Sequence, residues 1–268
     1  MPLEYLVAGK RVRLGIDDRS LEATLRVLYP PYEVPARSAP GHADLQVRTE
    51  NGTWIVQEGP FSHRCLTTIE VAEVVEFALT RAFQRCISAA AQVHAAGVIV
   101  GPGAVLLVGP EGAGKTSLAF HLSRAGRAVL TDDVTVILSS GRAQGLKRLF
   151  KVDPEVLQEA GVPLESTCLW HAGATAAWYD PTVAGGWAEE ALVRAVALLD
   201  RQPGARPEVR PLGRADALNY LFHSRFATGV RGPDALEALA SATQAALPLR
   251  LTFGSASAGA DTLQQALA

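Results

Sequence analysis

The chain has 268 residues, 48% hydrophobic and 19% charged, enough apolar mass to bury a full core and too much for a disordered chain. A formal net charge of -2, with Lys and Arg scattered along the chain, excludes the electrostatic footprint of a nucleic-acid binder. Cys65, Cys86 and Cys168 are odd in number and far apart, which argues against a disulfide framework and against a metal-binding motif.

The residues Met1-Pro2-Leu3-Glu4 lack the basic and apolar regions of a signal peptide, and no apolar run is long enough to cross a bilayer. A cytoplasmic protein without membrane contact is therefore expected. Lys10 to Ile16 alternates as a strand, and Ser20 to Leu28 reads as a short helix. Tyr29 to Pro35 and Pro40-Gly41 read as loop. Asp44 to Arg48 and Thr53 to Gln57 flank Asn51-Gly52, a strong hairpin signal.

Thr67 and Glu70 fit a capping box, in which each side chain satisfies a free amide at a helix start. Apolar residues then recur at helical spacing from Val71 to Ala90. Gly97 to Val100 and Ala104 to Val108 are apolar strands around a Gly101-Pro102-Gly103 turn, and Thr116 to Arg124 continues as a helix. Ala128 to Leu130 and Val134 to Leu138 are short strands on either side of Asp132-Asp133. Asp153-Pro154 caps a helix that stops at Gly161. Ala188 to Leu199, Ala215 to Phe222, Pro233 to Leu247 and Thr262 to Leu267 read as helices, Leu249 to Phe253 as a strand, and Arg201 to Pro207 as an exposed loop.

The chemistry concentrates in Gly109-Pro110-Glu111-Gly112-Ala113-Gly114-Lys115-Thr116, a complete phosphate-loop pattern between a strand and a helix. Glycines let the backbone curl so that amides point at a phosphate, and the following helix adds the positive end of its dipole. Lys115 can reach the β- and γ-phosphates, and the Thr116 hydroxyl can meet Mg²⁺. Gly109, Glu111, Gly112, Ala113, Gly114, Lys115, Thr116 and Ser117 are the candidate nucleotide-binding residues, with ATP and Mg²⁺ as cofactors. Asp132 and Asp133 follow a short strand, where parallel-sheet enzymes collect catalytic groups. Adjacent carboxylates on extended backbone point opposite ways, so one can face a metal and the other a nucleophile.

His94-Ala95-Ala96-Gly97-Val98, the loop Gly109 to Thr116 and Leu130-Thr131-Asp132-Asp133-Val134 stand in the order and spacing of HPr kinase/phosphorylase. The chain resembles that family, including stand-alone HPr-kinase-like proteins and the kinases found with lasso-peptide biosynthesis. The resemblance is clear over residues 92 to 138 and extends loosely to about residue 265. It implies an α/β (α+β) fold with a P-loop kinase core of the HPr kinase and ATP-dependent phosphoenolpyruvate carboxykinase type at residues 67–268. Residues 1–66 would form a small β-rich accessory domain. It further implies phosphoryl transfer to a hydroxyl, with Asp132 as the base, Lys115 stabilising charge, Asp133 and Thr116 at the metal, and His94 near the phosphate centre.

The chain departs from the bifunctional enzyme in lacking its glutamate-bearing Arg-Gly-Leu-Gly segment, which puts phosphorylase activity and HPr as substrate in doubt. Gly145 to Val152 resembles instead the basic segment of the shorter relatives. Its Lys147, Arg148 and Lys151 are candidates for holding the transferred phosphate or an acidic substrate, and a solvated basic loop is the alternative. The expected partner is a peptide or protein serine. A small-molecule hydroxyl, a non-catalytic nucleotide sensor and a homo-oligomer are the alternatives left open.

Overall fold

The computed structural model describes residues 2–36, 43–87, 91–169, 175–227 and 231–268. It is a mixed α/β fold that divides into two compact units, Met1–Ser88 with Glu165–Trp178, and Ala89–Leu164 with Tyr179–Ala268. Pro40-Gly41 and Ala90 lie outside the described residues.

In the first unit, β1 (Leu3–Val7) and β2 (Lys10–Ile16) form a hairpin, followed by the short helix α1 (Glu22–Arg26) and the two-residue β3 (Glu33–Val34). A second hairpin joins β4 (Leu45–Glu50) to β5 (Thr53–Glu58), and β6 (Phe61–Cys65) extends it. Asn51 and Gly52 both take positive φ, 50° and 76°, as the two-residue turn between right-twisted strands requires. The strand order is β3-β1-β2-β4-β5-β6, antiparallel except where β2 meets β4.

Helix α2 (Thr68–Cys86) starts at the capping box: Thr67 Oγ1 accepts from the Glu70 amide at 3.2 Å, and Glu70 Oε2 accepts from the Thr67 amide at 3.3 Å. Its buried stripe of Val71, Val75, Leu79 and Phe83 lies on the six-stranded sheet. The Phe83 ring meets Tyr5 and Tyr29 edge-on, at 5.5 and 4.8 Å between centroids. Burying such a ring contributes roughly 2 kcal/mol. That packing groups α2 with the first unit, although the sequence reading draws its domain line before residue 67.

The second unit opens with β7 (Ala91–His94), β8 (Ala96–Val100) and β9 (Gly103–Val108). Helix α3 (Lys115–Arg124), β10 (Val129–Thr131), β11 (Val134–Ile137), β12 (Arg142–Gly145) and β13 (Phe150–Val152) follow. Asp153 caps α4 (Pro154–Glu159) by accepting from the Glu155 amide at 2.9 Å; the next strand, β14 (Ala177–Tyr179), begins in the Glu165–Trp178 segment of the first unit and ends at Tyr179 of the second. The chain continues through β15 (Glu190–Arg201), β16 (Glu208–Pro211), α5 (Arg214–His223), α6 (Gly232–Gln244), β17 (Leu247–Phe253) and α7 (Ala256–Leu267).

The sequence expectation of a helix over Ala188 to Leu199 is wrong: from Glu190 onward the segment belongs to the twelve-residue strand β15. It pairs in parallel with β9 on one edge and with β17 on the other, so backbone pairing outweighs the helical preference of its Ala, Leu and Glu residues. Among the described residues, nine strands form this sheet, with β10-β8-β9-β15-β12-β11-β7 along its main path. Leu106, Val108, Val196 and Leu198 share a core cluster with Leu221 of α5 and Leu239 of α6. Val105, Leu107, Ala197 and Leu251 are buried as well, as expected of strands covered on both faces.

Candidate active site

Residues Gly109 to Thr116 form the turn from β9 into the first residues of α3. The N-cap Gly114 has φ 89° and Gly112 has φ 76°, left-handed conformations that glycine adopts without steric cost. The Ala113 amide closes the turn onto the Pro110 carbonyl at 3.2 Å. Among the described residues, no protein acceptor meets the amides of Gly112, Gly114, Lys115 or Thr116, so the helix N-terminus presents a set of unpaired donors.

Lys115 is buried, and its ammonium donates to the carbonyls of Gly109 at 2.9 Å and Pro110 at 3.0 Å. Burial pushes its pKa below the ordinary lysine value, opposed by the nearby carboxylates of Asp133 and Glu111. Ser117, in the first turn of α3, is half-buried.

Strand β10 carries the aspartate pair to the same end of the sheet. It is antiparallel to β8, which is antiparallel to β9, so β10 and β9 run in the same direction. The Thr131 hydroxyl then fixes the turn. It donates to the Leu146 carbonyl at 2.9 Å and accepts from the amides of Asp133 at 3.2 Å and Val134 at 3.3 Å. A side chain at Gly145 would collide with the Leu130 carbonyl, so this end of β10 requires glycine opposite it.

The two carboxylates have different surroundings. Asp132 is buried, accepts from Thr116 Oγ1 at 3.2 Å, and meets Arg148 Nε at 3.1 Å. Asp133 keeps 22% side-chain exposure and meets His94 Nε2 at 3.2 Å and Arg148 Nη2 at 3.3 Å. Arg148 therefore spans both acids.

His94 ends β7, opposite Val134 in the β7–β11 ladder, and its amide donates to the Ser224 carbonyl. Its ring stacks on Phe226 at 5.9 Å between centroids. Burial lowers its pKa, and the Asp133 carboxylate partly opposes that shift. The Nε2 edge of the ring faces the Asp133 carboxylate as a close electrostatic contact.

Of the three basic candidates, Arg148 alone is seen at the aspartates. Lys147 pairs with Glu189, and Lys151 sits half-buried in β13. Thr131, Gly145 and Phe226 escaped the sequence reading. Thr131 directly precedes the acids and could have been read as a turn-forming hydroxyl. Gly145 and Phe226 reach the site only through long-range pairing.

Among the described residues, no group of three or more His, Cys, Asp or Glu is arranged to hold a metal, and no helix is long and apolar enough to cross a membrane. The Thr116 hydroxyl and Asp132 carboxylate offer a pair of hard oxygens, a donor set that fits Mg²⁺ held jointly with substrate phosphates and water. No protein-family model matches the chain, and no curated protein matches it closely enough to count as a relative.

Proposed function

We propose that this protein is an ATP- and Mg²⁺-dependent cytoplasmic kinase that transfers the γ-phosphoryl group to a hydroxyl, with a serine of a peptide or protein as acceptor. Its second unit would then be a kinase core of the HPr kinase and ATP-dependent phosphoenolpyruvate carboxykinase type. The observation that carries the proposal is convergence. His94, Thr116, Asp132, Asp133 and Arg148 come from four segments of the chain and are linked by contacts of 3.1 to 3.3 Å, with Lys115 next to Thr116 beside the unpaired amides of the loop.

The contacts favour a division of labour between the aspartates opposite to the one the family resemblance implies. Thr116 and Asp132 would hold Mg²⁺, which offsets the charge of the phosphates when bound. Asp133, more exposed and 3.2 Å from His94 Nε2, would be the base. The amides of Gly112, Gly114 and Lys115 cradle the β-phosphate, and the Lys115 ammonium leaves the Gly109 and Pro110 carbonyls for the γ-phosphate. The acceptor hydroxyl gives its proton to the Asp133 carboxylate as its oxygen bonds to the γ-phosphorus. The bond from that phosphorus to the bridging oxygen breaks, and ADP leaves with the electron pair. Arg148, held between both acids, is positioned to meet charge developing on the transferred group.

The test is incubation with γ-labelled ATP, Mg²⁺, serine-containing peptides and small alcohols. Label on a peptide serine supports the proposal, and label on an alcohol moves the acceptor to a small molecule. ADP formed with no labelled acceptor indicates hydrolysis. Failure to bind ATP with Mg²⁺ in calorimetry sinks the nucleotide reading altogether.

A further inference from the structure

Arg148 reaches the two acids from a fixed stem. Between β12 and β13, the Leu146 amide donates to the Val134 carbonyl at 3.0 Å, and the Leu146 carbonyl accepts from the Thr131 hydroxyl at 2.9 Å. Leu146, Leu149 and Phe150 are buried, and Lys147 turns instead to Glu189. With the backbone anchored on both sides, moving the Arg148 guanidinium is a rotamer change and not a loop movement.

The guanidinium closes on the acid that also meets Thr116. Arg148 Nε donates to Asp132 Oδ1 at 3.1 Å and Nη2 to Asp132 Oδ2 at 3.3 Å, while Thr116 Oγ1 donates to Oδ2 at 3.2 Å. Both oxygens of this carboxylate are therefore engaged, and its side chain has 0% exposure against 13% for Arg148. Such a two-pronged contact is the strong form of a charge-assisted hydrogen bond. Nη2 also lies 3.3 Å from Asp133 Oδ2.

These contacts bear on how a cation reaches Asp132. Mg²⁺ takes oxygen ligands at about 2.1 Å. A cation that close to either Asp132 oxygen would share it with the guanidinium, and two positive charges on one buried carboxylate repel with little water between them. The surrounding charge is already near balance. Asp132 and Asp133 stand against Arg148 and Lys115, burial favours neutral His94, and Glu111, near Lys115, is exposed to screening water. A bare dication would leave this largely buried group net positive, and unmatched buried charge is costly. A metal–nucleotide complex brings its own anionic oxygens, which match the cation and offer the guanidinium another partner.

We infer that Arg148 makes the metal site selective for the metal–nucleotide complex over the free cation. It holds Asp132 against bare Mg²⁺ and gives it up when the γ-phosphate takes the guanidinium. The same swing takes the guanidinium off Asp133, so the carboxylate assigned as base is uncovered together with the metal ligand. The inference rests on the nucleotide reading of this site and adds an order to it: metal and nucleotide enter together, not metal first.

The test is Mn²⁺ binding to the whole chain, read from the free-ion signal in electron paramagnetic resonance, with and without the β,γ-imido analogue of ATP. Without the analogue, Arg148→Gln should bind Mn²⁺ about tenfold more tightly than wild type. Asp132→Asn added to Arg148→Gln should remove that gain, which locates the ion. Arg148→Lys keeps the charge and should stay close to wild type. The analogue should tighten Mn²⁺ binding far more in wild type than in Arg148→Gln. Thermal unfolding of each variant controls for folding, and the wild-type arm stands without them. Mn²⁺ that binds wild type as tightly without the analogue as with it overturns the inference, as does a gain in Arg148→Gln that survives Asp132→Asn. In either case analogue binding in calorimetry leaves the kinase reading standing; an analogue that does not bind takes down both.

Discussion

In the first unit, most paired strands are also neighbours in the chain: β1 with β2, β4 with β5, β5 with β6. In the second, the central strand β15 pairs with β9 from far upstream and β17 from far downstream. Hairpins close short loops and bring little to one point except their own turns. The long-range sheet closes large loops, and in return it gathers residues from distant segments at one end. The polar groups that can do chemistry lie there, at the end of the second sheet. The first sheet instead packs α2 against one face.

The sharpest way to break this comparison is to remove single groups from the second sheet's polar end. Asp133→Asn should cost on the order of 10³-fold in phosphoryl transfer while ATP still binds, measured by label transfer alongside calorimetry. Unaltered turnover would overturn the assignment of Asp133 as base. Asp132→Asn should instead raise the Mg²⁺ concentration needed for half-maximal ATP binding.

A smaller effect is expected where the second sheet is tightest. Gly145→Ala pushes against the Leu130 carbonyl and should lower unfolding free energy by about 2 kcal/mol, with a loss of transfer out of proportion to the fraction unfolded. In the first unit, Thr67→Ala removes one half of the capping box and should cost about 1 kcal/mol in denaturant unfolding. The affinity for ATP should not change with it.

The smallest effect is electrostatic. The folded-state pKa of His94 lies below its ordinary value of 6.5, so the unfolded chain takes up a proton before the folded one does. Its contribution to stability is complete above pH 6.5 and is lost as pH falls through the lowered folded-state pKa. His121, also lowered by burial, acts in the same direction. His94→Gln should flatten the decline of thermal stability as pH falls below 6.5. An unchanged slope would mean that another group governs that range.

Local signals in the chain carried much of this. The Asn51-Gly52 turn, the Thr67–Glu70 cap, the Asp153-Pro154 start and the glycine pattern from Gly109 each fix backbone conformation within a few residues, and each could be read without any tertiary partner. The segment around Ala188 to Leu199 could not. Its residues favour a helix in isolation, and only the edges offered by β9 and β17 made it a strand.

The same limit applies at the site. The sequence by itself determined that Lys115 and Thr116 stand at the start of α3 after a glycine turn, because one strand, one turn and one helix fix them locally, and that two acids follow β10. Tertiary structure decided which aspartate meets Thr116 and which meets His94, and that Arg148 rather than Lys147 reaches them both. Side-chain direction after β10 depends on the Thr131 turn and on strands β7 and β12 brought alongside by pairing, and no local pattern encodes that.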